Sequence, residues 1–490
     1  MLAVGVLSQM SARSTRNASP RLVLAIVCAG VVLASLDLFI VNVALPQMAR
    51  DFHLHGSGLA DLSWVLNAYA IVYAALLVLF GRLADRYRRE RGFLLGVAVF
   101  VAASAACGVA TSVPMLVAFR VVQAAGAALL TPTSLGLILA TSAPERRQGA
   151  VRAWTAVGGL AATLGPVVGG LLVEASWRWV FFVNVPIGLA ALVVGLRRLP
   201  EVSGHPTVRP DALGALLVTG GVGALTLGLV NGSGWGWSSG RTVAALASSA
   251  VALGLFAVHC ARHHNPLIER ALFRLRPFTG ASVVALFFSC AFGGMLLSRV
   301  LWTQDYWHWS PLITGLSIAP GPLMVPLFSF LVAGRLITRF GPGPVIAAGS
   351  TIFAAGVAWW ALAVGLRADY VGQALGGMLL TGIGVGLTLP TFMAAGASSL
   401  PPASFATGSA VVNMFRQIGL AIGVAVFIAV LGAPHTPGAA LTAYQHGWAV
   451  TAAISLLGAL VGLALLARPS RAMSEANLAA VSVSAPSEGF

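Results

Sequence analysis

The stretch from Leu36 to Pro46 reads LDLFIVNVALP and places one carboxylate, Asp37, inside an apolar run long enough to cross a bilayer. A charged side chain near the middle of a membrane helix costs at least about 2.5 kcal/mol, so such residues are rare and usually have a task. Because apolar surroundings favour the neutral acid, Asp37 is a candidate proton carrier. A structural Asp that is hydrogen-bonded to a neighbouring helix is the alternative interpretation.

The composition identifies the whole chain as a polytopic membrane protein. Of its 490 residues, 58% are hydrophobic and 9% are charged, and a mean hydropathy of +0.89 excludes an ordinary soluble globule. The net charge of +15 comes from 29 arginines without any lysine, most of them in short loops. Since no basic face or tail is present, we do not expect a nucleic-acid partner. The four cysteines show no spacing typical of disulfides or metal sites.

Apolar segments of about 20 residues predict an all-α membrane protein with fourteen spanning helices. In chain order they cover about Leu22–Pro46, Leu62–Phe80, Gly92–Ala110, Met115–Ala140, Trp154–Val173, Trp179–Leu196, Leu213–Val230, Val243–Ala261, Phe278–Leu297, Leu312–Ala333, Val345–Leu366, Val371–Ala395, Ser409–Leu431 and Trp448–Ala467. With the N-terminus in the cytoplasm, 22 arginines fall in cytoplasmic segments and 5 in outer ones. This asymmetry supports both the orientation and the even count.

The two ends of the chain resemble each other. GRLADR at Gly81–Arg86 recurs as GRLITR at Gly334–Arg339. At a constant offset of 258 residues, Gly126, Pro132, Pro144 and Gly165 recur as Gly384, Pro390, Pro402 and Gly423. We therefore predict two six-helix bundles, residues 22–198 and 278–467, with two inserted helices within 199–277. A cytoplasmic segment 1–21 precedes them, and a disordered cytoplasmic tail 468–490 follows. Two such halves with a site between them are typical of transporters.

Five motifs carry a resemblance to a known family. GRLADRYRRER at Gly81–Arg91 resembles the loop between helices 2 and 3 of the major facilitator superfamily. AFRVVQAAGAA at Ala118–Ala128 resembles its helix 4 motif, and ATLGPVVGG at Ala162–Gly170 the helix 5 motif of its antiporters. LDLFIVNVALP and WRWVFFVNVPIG, Trp177–Gly188, narrow the resemblance to the fourteen-helix drug:proton antiporters. The resemblance covers nearly the whole chain and implies two six-helix repeats with two inserted helices.

The resemblance also implies roles for membrane-embedded polar residues. Arg120, in the helix 4 motif, is expected to act with Asp37 in proton coupling, and Gln123, one turn further on, could orient it. An outer-leaflet Arg that snorkels towards water is the alternative for Arg120. The candidate substrate-binding residues are Asp37, Asn42, Asn67, Tyr69, Gln123 and Trp154.

Two further groups are candidate gating residues. Gly81, Asp85 and Arg86 belong to the loop motif, in which Asp85 either stabilises one facing state or is a solvated loop charge. The helix 5 residues are Gly165, Pro166, Gly169 and Gly170. These remove side chains and one backbone donor, which permits close helix contact and a kink, and this serves either packing or the sealing of a cavity.

These observations predict a bacterial inner-membrane antiporter that exports amphipathic, often cationic, drugs or antibiotics by alternating access. No cofactor or metal is expected, and the lack of lysine disfavours ATP-driven transport because a nucleotide-binding loop needs one. No catalytic set is apparent, so we do not predict an enzyme. Two alternatives stay open, namely an exporter dedicated to one endogenous metabolite and a non-transporting sensor or scaffold. Arg416 either pairs with backbone carbonyls or binds an anionic group, and Arg299 is expected to snorkel.

Overall fold

The computed structural model describes residues 19–54, 58–86, 88–202, 211–398, 400, 405–434 and 436–466. The predicted N-terminal segment, except for its last residues, and the whole predicted tail lie outside these ranges. The described residues form helices and no β-strand. This confirms the all-α fold class.

In the described ranges, fourteen long helices follow one another, and we number them α1 to α14. Their bounds are α1 Pro20–Asp51, α2 Gly58–Arg86, α3 Arg89–Gly108, α4 Val113–Thr141, α5 Pro144–Ala175, α6 Trp179–Arg198, α7 Ala212–Trp235, α8 Gly240–Arg262, α9 Arg276–Asp305, α10 Pro311–Phe340, α11 Pro342–Ala363, α12 Gly376–Ser398, α13 Phe405–Leu431 and α14 Pro437–Leu466. A π-helical turn, Tyr370–Leu375, precedes α12.

In the part of the chain that is described, 13 helices are long and apolar enough to cross a membrane. The remaining one is α5, whose described apolar part is the shorter stretch Leu164–Ala175. The multi-pass membrane architecture is therefore confirmed, and the predicted span at about Trp154–Val173 stays a prediction.

Helix starts follow simple capping chemistry. Ser19, Ser112 and Ser310 each accept a hydrogen bond from the amide three residues later, at 3.3, 3.4 and 3.3 Å. A proline occupies the first or second helical position after each of them, where its missing N–H is not needed. These local signals mark where the long helices begin.

The internal repeat is visible in matched helix crossings. A Cβ at Gly126 of α4 would lie 2.6 Å from the backbone nitrogen of Phe100 on α3. A Cβ at Gly384 of α12 would lie 2.7 Å from the backbone nitrogen of Phe353 on α11. Only glycine permits such close backbone contact. The recurring glycines thus produce the same crossing in both halves of the chain.

Helices α1–α6 form an N-terminal bundle, and α9–α14 form a C-terminal bundle. The bundles contact each other through α5 with α10 and through α2 with α13. Inserted helix α7 packs against α8, α2 and α13. We call the face at which α1 begins the arginine-rich face, because the segments that join helices there hold most of the arginines, and the opposite face the arginine-poor face.

Candidate proton and substrate site

Asp37 of α1 and Arg120 of α4 form a buried ion pair inside the N-terminal bundle. The Nη1 group of Arg120 donates to Oδ2 of Asp37, and its Nε group donates to the Val65 carbonyl of α2 at 3.0 Å. Neither side chain is exposed. Arg120 therefore does not snorkel, because its charge is held by a carboxylate in the interior.

Two amides complete the coordination of Asp37. Gln123 donates to Oδ1 of Asp37 at 2.9 Å and accepts from Nη1 of Arg120 at 2.7 Å. Asn184 of α6 donates to the same Asp37 oxygen at 3.2 Å. With three donors, the carboxylate has the partners that a buried ionised acid requires.

The hydroxyl of Ser104 on α3 supports both amides. It accepts from Gln123 and from Asn184, each at 3.1 Å, and donates to the Phe181 carbonyl at 2.9 Å. The sequence reasoning assigned no role to Ser104 or Asn184. The available signal was an amide and a hydroxyl within otherwise apolar spans, and Asn184 lies inside the quoted motif WRWVFFVNVPIG.

Tyr69 of α2 connects this network to a cavity between the bundles. Its ring lies 4.0 Å from the Arg120 guanidinium carbon, a stacking that favours the cation. Tyr69 also lines the cavity, which has a volume of about 490 Å³. A change at Arg120 therefore reaches the cavity wall through one aromatic ring.

The same cavity is lined by Trp154, whose indole N–H donates to Ser134 at 3.0 Å. The structure places the predicted substrate residues Tyr69 and Trp154 on this wall. Two neighbours of Asp37, Leu38 and Phe39, also line it.

The other predicted substrate residues lie elsewhere. Asp37 and Gln123 are buried behind the wall and do not line the cavity. Asn42 and Asn67 line a separate small cavity of about 30 Å³ that also touches Arg120. None of these four side chains is among the described residues that line the larger cavity, and their role in substrate binding stays a prediction.

The α5 glycines lie between α1 and the opposite bundle. A Cβ at Gly165 would lie 2.8 Å from Cβ of Phe39, and one at Gly169 would lie 2.9 Å from the Ile40 carbonyl oxygen. A Cβ at Gly170 would lie 2.5 Å from the Pro311 carbonyl oxygen of α10. These glycines bring α5 into backbone contact with both neighbours near the arginine-poor face.

Other contacts join the bundles in the same region. Pro166 offers its carbonyl oxygen to the space beside Gly315 of α10. Gln304 of α9 donates to the Val43 carbonyl of α1 at 3.0 Å. The Leu312 amide donates to Glu174 of α5 at 3.1 Å. The cavity is lined by residues on the arginine-rich side of this contact layer.

The loop-motif residues are less informative. Gly81 lies on α2, where a Cβ would make ordinary contact, 3.8 Å, with Pro132 of α4. The side chains of Asp85 and Arg86 lie outside the described residues. Further along the motif, Arg88 pairs with Glu90 at 2.5 Å and with Glu201, before α7, at 2.7 Å. The hydrogen bond to Glu201, with Glu90, holds the pKa of Arg88 above its usual value.

Arg299 differs from its expected position. Instead of snorkelling, its side chain is buried in the C-terminal bundle, with its guanidinium carbon 4.9 Å from the Trp360 ring and 5.5 Å from the Trp307 ring. Aromatic faces attract a cation at these distances, and this contact outweighs the drive towards water.

Asp211, His259 and His263 bring ligand atoms within 4.8 Å of one another at the start of α7. The carboxylate already accepts from the Gly214 amide at 2.8 Å, the Leu267 amide at 2.7 Å and His259 at 2.9 Å. Burial acts to raise the pKa of Asp211, but these hydrogen bonds outweigh it and hold the pKa below its ordinary value. The cluster therefore fastens the segment after α8 to the start of α7.

Comparisons with known proteins agree with this architecture. The model of the Major Facilitator Superfamily matches residues 27–424. The tetracenomycin C resistance and export protein of Streptomyces glaucescens is 34% identical over 408 residues, which cover 83% of this chain and 74% of that protein. The methylenomycin A resistance protein of Streptomyces coelicolor is 32% identical over 457 residues, 90% of this chain and 91% of that protein. The solved POT family transporter PepTSo has a TM-score of 0.66 at 18% identity over 94% of this chain and 99% of its own, a likeness of fold alone.

Proposed function

Since the chain belongs to the major facilitator superfamily, we propose that it exports amphipathic drugs or antibiotics across the bacterial inner membrane in exchange for protons. Relatives across most of its length are named for resistance to, or export of, single antibiotics and multiple drugs. The termini are cytoplasmic in this proposal, which agrees with the 22 arginines on that side. The chain acts as a transporter without chemistry on its cargo.

The observation that carries proton coupling is the closed network around Asp37. Ionised Asp37 is matched by Arg120, Gln123 and Asn184, so its charge is stable in the interior. A proton on Asp37 removes the charge attraction that holds the guanidinium and makes the acid a weaker acceptor, whereas the Val65 and Gln123 acceptors of Arg120 are unchanged. The protonated and ionised states therefore favour different positions of Arg120.

The Arg120 side chain, whose position depends on the proton, lies next to the cavity proposed to bind substrate. Tyr69 stacks on Arg120 and lines the cavity, and Phe39, two residues from Asp37, lines the cavity and touches Gly165 of α5. A proton at Asp37 thus acts on the cavity wall and on the α5 contact that joins the bundles. The bundles rock about this contact, cargo leaves outward, and the proton is released inward down its gradient. One proton crossing 100 mV supplies about 2.3 kcal/mol.

The test is uptake into inverted membrane vesicles with an imposed pH gradient. The panel contains tetracenomycin C, methylenomycin A, fluorescein and rhodamine 123. We expect gradient-dependent uptake by the wild-type protein and none by Asp37→Asn. Because Asp37→Asn leaves Arg120 uncompensated, the neutral double variant Asp37→Asn/Arg120→Gln serves as the folded control and should also fail. Uptake by the wild type that ignores the gradient, or full uptake by either variant, contradicts proton antiport.

An exporter dedicated to one antibiotic is the second candidate. Several relatives are named for one compound, among them tetracenomycin C and cephamycin. The same panel separates the two functions, because a dedicated exporter accumulates one compound and a multidrug exporter several unrelated ones.

A further inference from the structure

Arg416 of α13 is the one charged side chain among the described residues that line the cavity. Asn413, one turn earlier on α13, and Gln417, the next residue, line the same wall. Arg416 forms no ion pair or hydrogen bond with the described part of the protein. A guanidinium in largely apolar surroundings is costly unless a partner satisfies it.

The neighbouring amide is also unsatisfied. Gln417 is 2% exposed, and its Oε1 atom has no hydrogen-bond partner among the described residues. Tyr73, on the facing wall, lies within electrostatic reach of Arg416, but its hydroxyl is already paired with Thr131 at 3.1 Å. Buried polar groups are nearly always hydrogen-bonded, and Gln417 is an exception beside a half-buried Arg416 that faces the cavity. The two side chains therefore indicate groups that a ligand satisfies.

The remainder of the wall is apolar and rich in soft side chains. Phe39 and Phe292, from opposite bundles, meet edge to face at 6.0 Å and both line the cavity. Met295, Met378 and Met393 line it as well. Aromatic rings and flexible thioethers pack against ring systems of varied shape.

We propose that Arg416 anchors an acidic group of the transported molecule, so that the cavity prefers anionic, ring-containing amphiphiles to cationic ones. This inference rests on the proposed export function. The planar guanidinium binds a carboxylate, sulfonate or phenolate in a bidentate manner, and a hydroxyl beside the acid satisfies Gln417. No Asp or Glu lies among the described lining residues to attract a cation, and Arg416 repels one. The preference is therefore opposite to the often cationic cargo expected from sequence.

The test compares two dyes that share a xanthene ring system but differ in charge, anionic fluorescein and cationic rhodamine 123. Anisotropy titrations use the full chain in phosphatidylcholine nanodiscs at neutral pH, with empty nanodiscs subtracted. We expect tighter binding of fluorescein, and an increase of its Kd by about 10- to 100-fold in Arg416→Gln. Arg416→Lys keeps the charge but loses the bidentate geometry of the guanidinium, so its Kd for fluorescein lies between those of the wild type and Arg416→Gln. The control is Arg241→Gln, which removes an exposed arginine outside the cavity and leaves both Kd values unchanged.

Equal or tighter binding of rhodamine 123, no binding of either dye, or an unchanged fluorescein Kd in Arg416→Gln overturns the inference. Thermal unfolding of Arg416→Gln near that of the wild type shows that lost binding is local. Transport is scored separately in the pH-gradient assay. Gradient-driven export of rhodamine 123 but not fluorescein overturns the anionic preference and leaves antiport standing. Arg416-dependent binding of fluorescein without gradient-driven export of any compound supports the anionic preference and overturns antiport.

Discussion

Gly170 and Pro311 belong to opposite bundles, yet a single Cβ on Gly170 would lie 2.5 Å from the Pro311 carbonyl oxygen. We expect Gly170→Val to force the bundles apart near the arginine-poor face. Overpacking of this kind costs about 1–3 kcal/mol, which corresponds to roughly a tenfold fall in the initial export rate. Spin labels at the exposed positions Thr111 and Ala439 should report a longer distance than in the wild type.

The matched control for this substitution is Gly223→Val on α7, where an added Cβ meets nothing within 4 Å. It should leave export and the label distance unchanged. If Gly170→Val exports at the wild-type rate, the α5 contact does not take part in the transport cycle and serves packing alone.

Much of this architecture was predictable from sequence patterns that recur along the chain. Apolar runs, the arginine asymmetry and the repeated glycines each reflect one physical constraint, namely bilayer thickness, orientation or close helix crossing. One π-helical turn, Ser329–Ala333, interrupts α10, and another, Tyr370–Leu375, precedes α12. Such turns depend on tertiary packing, and no local signal predicted them.

Only the charged residues of the site were predictable, because its other members meet through tertiary packing. A charged residue in a membrane run, such as Asp37 or Arg120, can be recognised by its cost, which is a property of one position. The donors that satisfy Asp37 come from α4 and α6, and their meeting depends on helix packing. Asn184 was therefore not predicted, although it lies within the motif WRWVFFVNVPIG. Helix packing also decides that Asn42 and Asn67, which were predicted to bind substrate, line a separate small cavity beside Arg120.

Asn184→Leu tests the network without changing any charge. Asn184 lies behind Asp37 and away from the cavity, so the Kd for fluorescein at fixed pH should stay within about twofold. A hydrogen bond to a charged group contributes about 1.5–3 kcal/mol, so gradient-driven exchange should fall by roughly tenfold or more. The pH profile of exchange should also change, because the Asn184 amide hydrogen bond that the variant lacks is made to the carboxylate of Asp37.

The control for Asn184→Leu is Asn231→Leu on α7, whose side-chain amide donates, within the described part of the chain, to the Leu227 carbonyl of its own helix alone. A rate that falls by the same factor at every pH in Asn184→Leu would indicate a structural role and not a positioning one.

Asp211→Asn tests the fastening between α7 and the segment after α8. At neutral pH we expect a loss of about 1–3 kcal/mol of stability, because the carboxylate accepts three hydrogen bonds. Since the pKa of Asp211 is held below its ordinary value by hydrogen bonds that outweigh burial, the contribution of Asp211 is present above that ordinary value. It is lost as the pH falls through the lower pKa of the folded state. The difference in thermal unfolding between wild type and variant should therefore begin to shrink as the pH falls below about 4, and a gap that persists unchanged as the pH falls further would contradict this origin.

The ion pair of Asp37 and Arg120 allows stability to be separated from transport. Asp37→Asn or Arg120→Gln alone leaves one buried charge uncompensated and should cost about 3–5 kcal/mol. Asp37→Asn/Arg120→Gln leaves none, so thermal unfolding should recover much of that loss while gradient-driven export stays absent. The half-exposed pair of Asp51 and Arg178, 3.0 Å apart, provides the control. Its neutral double variant Asp51→Asn/Arg178→Gln keeps a side-chain oxygen that can accept from the Trp177 indole N–H, so the loss of the ion pair itself should change stability by no more than about 1 kcal/mol. A double variant of the buried pair that is no more stable than the single variants would mean that the charges are not coupled, and one that still exports would remove Asp37 as the proton carrier.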